Sequence, residues 1–306
     1  MQSVMQRVFT ANYTRARIKG IFNTIKFGKR TTCPSCGYRH KFYKLSDGRW
    51  QCKRCDKKFG LLTDTKINRT EFDLQEIYEL LFWFELELTD HKIAKRLDVN
   101  YRKVHRFYNK VRERLFEYEE DSIELLDGEV EVDETYFGAD FKNRKRSKRE
   151  KLRKEGKVKR GRGAKDLKEA VFGIYEREDG IVYIKPVADV TKDTLQEIIK
   201  DKVNIETKIY SDTWKSYNGL EKDFKSHRVV DHGNQEYKRG KATINGIEGF
   251  WGYAKERLLK HHGVSPENFL AYLKEKEYRF NHRHLTGEKF VNKMLEVLLN
   301  RREVTP

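Results

Sequence analysis

No stretch of this chain approaches the ~18 unbroken apolar residues that a membrane-crossing helix needs. The densest apolar run, "LLFWFELEL" (80–88), is broken by Glu85 and Glu87, and the first twenty residues carry charges where a signal peptide needs an apolar run. The expectation is a cytosolic protein with no membrane partner. Prolines number only four in 306 residues, which argues against long structureless linkers. Disorder in general is argued against by sixteen Tyr and eighteen Phe. Acidic charge is the scarcer sign: 48 Asp and Glu face 65 Lys and Arg, a net charge of +17. Such a balance points to a polyanion, most simply nucleic acid; a merely basic protein is the alternative, and local clustering must decide.

Cysteine is also scarce, yet its four copies fall together. Cys33, Cys36, Cys52 and Cys55 form C-x2-C, fifteen residues, then C-x2-C. Two residues between thiols let both reach one ion from a tight turn, and two such turns complete a tetrahedron. Gly37 is free to take positive φ after the first pair. Between the pairs, "YKLSDGRWQC" alternates and turns at Asp47-Gly48, as a hairpin does. The pattern predicts a zinc ribbon over 29–62 with one structural Zn²⁺, because four thiolates leave no open position. Disulfides are the weaker alternative in a reducing cytosol. Lys29, Arg30, Lys53, Arg54, Lys57 and Lys58 around it suit either DNA phosphates or solvent.

Residues 71–88 place apolar side chains at helical spacing. Next, Thr89 or Asp90 can cap a helix holding Ile93, Ala94 and Leu97. "LDVN" then makes a turn into a second helix from about Tyr101, with Val104, Phe107, Tyr108 and Val111 inward and Arg102, Lys103, Arg106 and Lys110 outward. This is helix-turn-helix spacing over 68–118, with the second helix positioned to enter a major groove. A small helical bundle used for dimerisation is the alternative.

"EVEVDETYFG" (129–138) alternates as a strand, with Val130 and Val132 on one face and Glu129, Glu131, Asp133 and Thr135 on the other. Glu134 falls on the apolar side, so the strand is expected to end near it. If later strands flank this one, Asp133 is central and partly buried, where a divalent metal can compensate it. Residues 142–165 hold fourteen Lys or Arg against two Glu, +12 of the whole +17. They read as an exposed basic insertion that meets phosphate backbone, or as a solvated tether. Strands resume at 169–176 and 181–187, followed by a helix from Thr191 to Val203. A short strand then ends in Asp212, Trp214 and Tyr217 start a helix, and "HRVVDH" (227–232) is another strand. "INGIEGFWGYAKERL" (244–258) is the last helix of the series.

That order matches a ribonuclease-H-like α/β layer arrangement. In it, the first strand, the fourth strand and the last helix approach one another and would gather Asp133, Asp212 and Glu248. Three carboxylates in one site need cations, and two divalent ions suit an in-line phosphoryl displacement. Lys255, two helical turns after Glu248, is placed to reach a DNA phosphate.

These residues carry a resemblance. "CPSCG…CKRC", the helix-turn-helix, "EVDETYFG", the "RGRG" before "VFGIYER", "YSDTWKSY", "NGIEGFWGYAKERL" and "YRFNHR" together resemble a DDE transposase of the ISXO-like insertion-sequence group over nearly the whole chain. The resemblance implies a multi-domain α/β protein: an N-terminal helical arm (1–28), the ribbon (29–62), the helix-turn-helix (68–118), an RNase-H-like mixed-sheet DDE domain (127–285) and a C-terminal helix (286–306). It implies Asp133, Asp212 and Glu248 as the acids, Lys255 as the accompanying lysine, and two catalytic Mg²⁺ or Mn²⁺ ions. Many relatives place Asn where the third acid stands, so Asn245 and Glu248 both remain open as the third ligand. Many also carry His just before that Asn, where this chain has Thr243 and Ile244; His232 and His262 are given no catalytic role. The implied partners are double-stranded DNA, both inverted-repeat ends and target, and further copies of the chain in a homodimer or higher assembly at the nucleoid. DNA contacts are expected from Arg102, Lys103, Arg106 and Lys110 and, in the insertion, from Arg160 and Arg162. A DNA-binding regulator or decayed copy would share the N-terminal modules without needing the acids, and a simple nuclease would cut without joining.

Overall fold

The computed structural model describes residues 11–123, 125–138, 146–156, 168–230, 244–261 and 263–299, apart from the Lys148 side chain. The described chain divides into two units, one of residues 11–118 with 282–299, the other of residues 119–281 except those outside the description.

In the first unit, α1 (Arg15–Phe27) leads into a three-stranded antiparallel ribbon of β1 (Phe42–Lys44), β2 (Trp50–Cys52) and β3 (Lys58–Phe59). The β1–β2 turn holds Gly48 at φ 81°, at the predicted hairpin position. Three helices follow: α2 (Leu74–Glu85), α3 (Asp90–Leu97) and α4 (Tyr101–Ser122). Asp73 and Glu76 form a capping box at the start of α2, each side chain taking the other's backbone N–H. Neither expected cap opens α3 in that way. Thr89 makes no side-chain bond there, and Asp90 instead turns its carboxylate to α4, taking Arg112 at 3.2 Å and His105 Nδ1 at 2.7 Å. Val104, Phe107, Tyr108 and Val111 are buried as the periodicity requires.

The C-terminal helix α9 (Glu288–Leu299) belongs to this same unit. Glu288 takes the Tyr13 hydroxyl at 3.0 Å and Arg17 at 3.1 Å, and Asn292 accepts from Tyr78 at 2.8 Å. Lys26 and Arg114 donate to the carbonyls of Leu299 and Val297. These ties join the expected C-terminal helix to partners more than 180 residues away in sequence.

In the second unit, five strands order as β6-β5-β4-β7-β8: β4 (Glu129–Phe137), β5 (Glu169–Glu176), β6 (Val182–Val187), β7 (Lys208–Ser211) and β8 (Ser226–Val229). The β4–β5 and β5–β6 pairs are antiparallel; β4–β7 and β7–β8 are parallel. In order along the chain the strands sit 3-2-1-4-5, the RNase-H-like arrangement, with β4 at the centre. One sheet face packs on α6 (Lys192–Lys202) through Val130, Val132, Phe172, Ile174, Leu195 and Ile199. The other carries α7 (Asn245–Leu259) and α8 (Pro266–Asn281) through Val171, Ile184, Ile247, Phe250, Trp251 and Leu273. The sheet's β6 edge is closed by side chains of α8. Glu277 accepts from the Ile184 N–H at 2.9 Å, and Asn281 bonds both the N–H and the C=O of Val182.

Two expectations are corrected. β4 does not stop near Glu134 but runs to Phe137, because Glu134, on the α6 face, finds the Tyr217 hydroxyl at 2.8 Å. After Asp212 the chain forms two short 3₁₀ turns, Lys215–Tyr217 and Leu220–Lys222, rather than a helix. The basic insertion contributes one helix to the description, α5 (Arg146–Lys154). Arg160, Arg162, His232 and His262 lie outside the described residues.

Candidate metal centres and the β4–α7 ladder

The four thiols converge. Their Sγ atoms all lie within 4.8 Å of one another, with Cys33–Cys55 and Cys36–Cys52 both at 3.6 Å. A tetrahedral Zn²⁺ with bonds of ~2.3 Å sets its sulfurs about 3.8 Å apart, so the set fits zinc and is far too open for a disulfide. The two knuckles are built alike. Gly37 N–H returns to the Cys33 carbonyl and Asp56 N–H to that of Cys52, both residues in the left-handed region. Sequence inspection saw the glycine and overlooked that Asp56 fills the same role. Burial opposes ionisation of Cys52, yet the N–H groups of Arg54 and Cys55 and the neighbouring thiols of Cys36 and Cys33 pull it down to about 7. At Cys36 the Tyr38 N–H favours the thiolate, but burial and the other three sulfurs push it up to about 12. Four thiolates this close need a cation. Chelation, or Cys52→Ser, is expected to drop bound zinc from one per chain to near zero and to collapse the dispersed amide NMR signals of residues 33–59. Dispersion that survives zinc loss would show that the apolar cluster of Phe27, Phe42, Trp50 and Phe59 suffices.

On the sheet, Asp133 sits at mid-β4 facing α7, paired across the strands with Gly173. It is half-buried, and its Oδ2 accepts the indole N–H of Trp251 at 3.0 Å. Burial first, then the nearby carboxylates of Glu134 and Asp212, push its acid up to about 7; the Glu134 N–H and the indole oppose the shift. Asp212, just past the end of β7, turns one oxygen to the Trp214 N–H at 2.9 Å. Beneath these acids lies Tyr217, whose hydroxyl is raised well above the phenol range by burial and by Glu134, Asp133 and Asp212. It therefore stays protonated and serves as a donor.

α7 is fixed to β4 by three rungs. Glu131 Oε2 accepts the Ile247 N–H at 3.0 Å, Asp133 takes Trp251, and Thr135 Oγ1 takes the Lys255 ammonium at 2.6 Å. Four helical residues rise about 6.0 Å and two strand residues about 6.6 Å, so a helix laid parallel to a strand meets it at i, i+4, i+8 against j, j+2, j+4. Glu131 is 3% exposed and also holds Arg177 at 2.9 Å. Lying at the helix start, it satisfies first-turn N–H groups that the N-cap residue, Ile244, makes no side-chain bond to. Burial lowers the Lys255 ammonium's pKa, although Asp133 works the other way.

The structure thus brings Asp133, Asp212 and Lys255 into one neighbourhood. Asn245 and Glu248 sit exposed in the first turn of α7. Among the described residues the four cysteines are the only group of three or more metal-type side chains close enough to hold one ion, so the three acids do not form a compact ligand set. Glu131, Tyr217 and Trp251 have no assigned role in the sequence reading. The signal that reveals the ladder is the pairing of 131/133/135 at period two with 247/251/255 at period four.

On α4, Arg102, Lys103 and Arg106 are exposed and Lys110 is half-buried. Glu71 takes both Lys103 at 2.7 Å and Arg106 at 2.8 Å. These partners hold its carboxyl below the usual range, Lys103 first.

The RNase-H-like sheet thus carries Asp133 on its central strand and Asp212 just past the end of β7, in a chain that also holds a four-thiol ribbon. Residues 125–281 match the ISXO2-like transposase domain, and residues 16–58 match the transposase zinc-ribbon domain. The chain belongs to the ISXO2-like transposase family. It is 27% identical over 292 residues to an uncharacterized protein in transposable element ISH50 of Halobacterium salinarum, covering 92% of this chain and 96% of that one. It is 37% identical over 114 residues to an uncharacterized transposase-like protein of Haemophilus influenzae, covering 37% of this chain and 92% of that one. A chain of the simian T-cell lymphotropic virus intasome is a looser likeness of fold, with 15% identity, a TM-score of 0.33, and coverage of 60% of this chain and 58% of that one. The family makes this a nuclease or transferase kind of enzyme. No described helix is long and apolar enough to cross a membrane.

Proposed function

We propose that the chain cuts DNA at the inverted-repeat ends of an insertion sequence and joins those ends to a target. The observation that carries this reading is Asp133, its acid pushed up to about 7 beside Asp212 and next to Lys255, in a chain of this family. An unbalanced carboxylate pair with oxygen-only donors suits Mg²⁺ or Mn²⁺. Asp133 and Asp212 would hold the ions, with Asn245 or Glu248 completing the set from α7. When bound, two such ions activate the attacking oxygen and stabilise the leaving one. Water attacks the scissile phosphorus, the P–O3′ bond breaks and a 3′-hydroxyl is released; that hydroxyl then attacks a target phosphorus, a new P–O3′ bond forms as the target's own P–O3′ bond breaks, and the proton given up by the attacking hydroxyl is regained by the departing 3′-oxygen. Lys255 presents its ammonium to the phosphate, and Thr135 steadies it. The ribbon and the α3–α4 pair engage the element ends through the cationic face of α4, the basic insertion with Arg160 and Arg162 grips the backbone, and joining two ends calls for a dimer or larger assembly.

Incubation of the chain with its own element ends and Mg²⁺ or Mn²⁺ tests this. Nicked ends, and joining of pre-cut ends, are expected for the wild type and lost in Asp133→Ala with DNA binding retained. A wild type that binds and never cuts is a regulator, and one that cuts and never joins is a simple nuclease. Glu71 offers a separate check on the DNA-reading face. Glu71→Gln frees Lys103 and Arg106, and its exposed pairs contribute little to folding. It is expected to raise affinity for end DNA by about 3–10-fold at low salt and to steepen the log–log salt dependence by about 1–2. An unchanged slope on fluorescence titration would place those two cations away from the DNA.

A further inference from the structure

We infer that Trp251 is a positioning residue for the Asp133 carboxylate, and that Gly173 is glycine to make room for it; the inference rests on the reading of Asp133 as a metal ligand. Trp251 is 4% exposed, and a buried indole N–H needs an acceptor. Phenylalanine would fill the same core with no such demand, so an indole here introduces a directional donor. The acceptor it meets is Asp133 Oδ2, at 3.0 Å. One oxygen pinned from the helix fixes the rotation of the carboxyl group and leaves the other oxygen to take a cation.

The opposite reading, that Asp133 exists to satisfy the indole, fits poorly. A neutral hydroxyl would satisfy one N–H without setting a half-buried charge beside Glu134 and Asp212. The site across the strand agrees. A Cβ on Gly173 would lie 2.5 Å from Cζ2 and 2.8 Å from Cη2 of Trp251, and 2.8 Å from Ile247 Cδ1. Gly173 is the cross-strand partner of Asp133, so the room that its missing side chain leaves lies beside the carboxylate that the indole must reach. The rungs above and below, Glu131 to Ile247 and Thr135 to Lys255, leave the ring no freedom to slide along the strand.

The full chain tests this by two routes. It holds four tryptophans, so Trp251→Phe assigns the Trp251 indole signal in a ¹⁵N-labelled sample. That signal is expected to exchange slowly with solvent and to move on Asp133→Ala, but not on Glu256→Gln, a substitution at an exposed site on the same helix. In joining of pre-cut ends, Trp251→Phe is expected to bind end DNA as the wild type does. It should raise the Mn²⁺ concentration for half-maximal rate, or lower the maximal rate, by about 10–100-fold, as loss of a ligand-orienting partner does. Trp251→His, which can still offer a ring N–H, should recover part of the loss. An indole signal indifferent to Asp133→Ala overturns the inference, and so does a Trp251→Phe protein with wild-type Mn²⁺ dependence and rate. If Trp251→Phe does not fold, Trp50→Phe, Trp83→Phe and Trp214→Phe assign the Trp251 signal by elimination, and its response to Asp133→Ala decides alone. A wild type that joins no ends overturns the function instead, which the indole signal registers separately.

Discussion

Asp133→Asn is expected to abolish DNA cleavage and, in the same protein, to make the sheet unit harder to melt. The two effects share one cause. The carboxyl has an ordinary value of 3.8 and sits at about 7 in the fold. A folded value above the unfolded one means the native state binds the extra proton, so this group costs stability as pH rises from about 4 to 7, and the whole cost is present above 7. At ~1.4 kcal/mol per pKa unit the ceiling is about 4 kcal/mol, and water reaching a half-buried site leaves about 1–3. Asparagine keeps an oxygen for the Trp251 indole and carries no charge. At pH 8 without divalent ions its melting point should rise by several degrees, at about 2–4 °C per kcal/mol. The gain should shrink to nothing near pH 4. Adding Mg²⁺ should stabilise the wild type and leave the variant unmoved. A variant that melts lower than wild type at pH 8, or that still cuts, would remove Asp133 from the centre of the reaction.

Glu131→Ala is expected to be the most damaging single change to the fold of the sheet unit. The side chain is buried, takes the N–H of Ile247 at the start of α7, and pairs with Arg177. Removing it leaves a helix terminus without its acceptor and takes one carboxylate partner from a guanidinium packed 3.8 Å over the Tyr210 ring. Breaking a buried pair in this way costs about 3–5 kcal/mol. Urea melts should show that loss, and Glu131→Gln, which keeps an acceptor of the same shape, should recover a large part. If alanine and glutamine cost the same, the rung is packing and the carboxylate's hydrogen bonds add nothing.

The sequence disclosed the modules better than their contacts. The thiol spacing was enough to give the ribbon, because two-residue gaps are a local constraint of metal geometry. The strand order was readable because β4 through β8 are each short periodic runs between turns, and the central place of Asp133 followed from that order. What stayed hidden is non-local. Glu131 looks like any polar strand residue until α7 lies on it. Trp251 looks like core until its nitrogen is traced to a carboxylate 118 residues earlier. Glu134 broke the alternation of β4, and a strand ending was inferred, because its partner Tyr217 is 83 residues further on. The convergence of Glu248 with the two aspartates was inferred from fold order, and the structure leaves it exposed in the first turn of α7.

The helix α9 bears on how such a protein is made. The ribbon-bearing unit draws one wall from the far end of the polypeptide, with the whole sheet unit spliced between residues 118 and 282. During translation the earlier helices must wait, their apolar faces open, while more than 160 further residues leave the ribosome. A stop codon ahead of residue 288 would therefore strike the ribbon-bearing unit rather than the sheet unit that precedes it, and such a truncated product would lack the packing partner on which Tyr13, Arg17 and Tyr78 close.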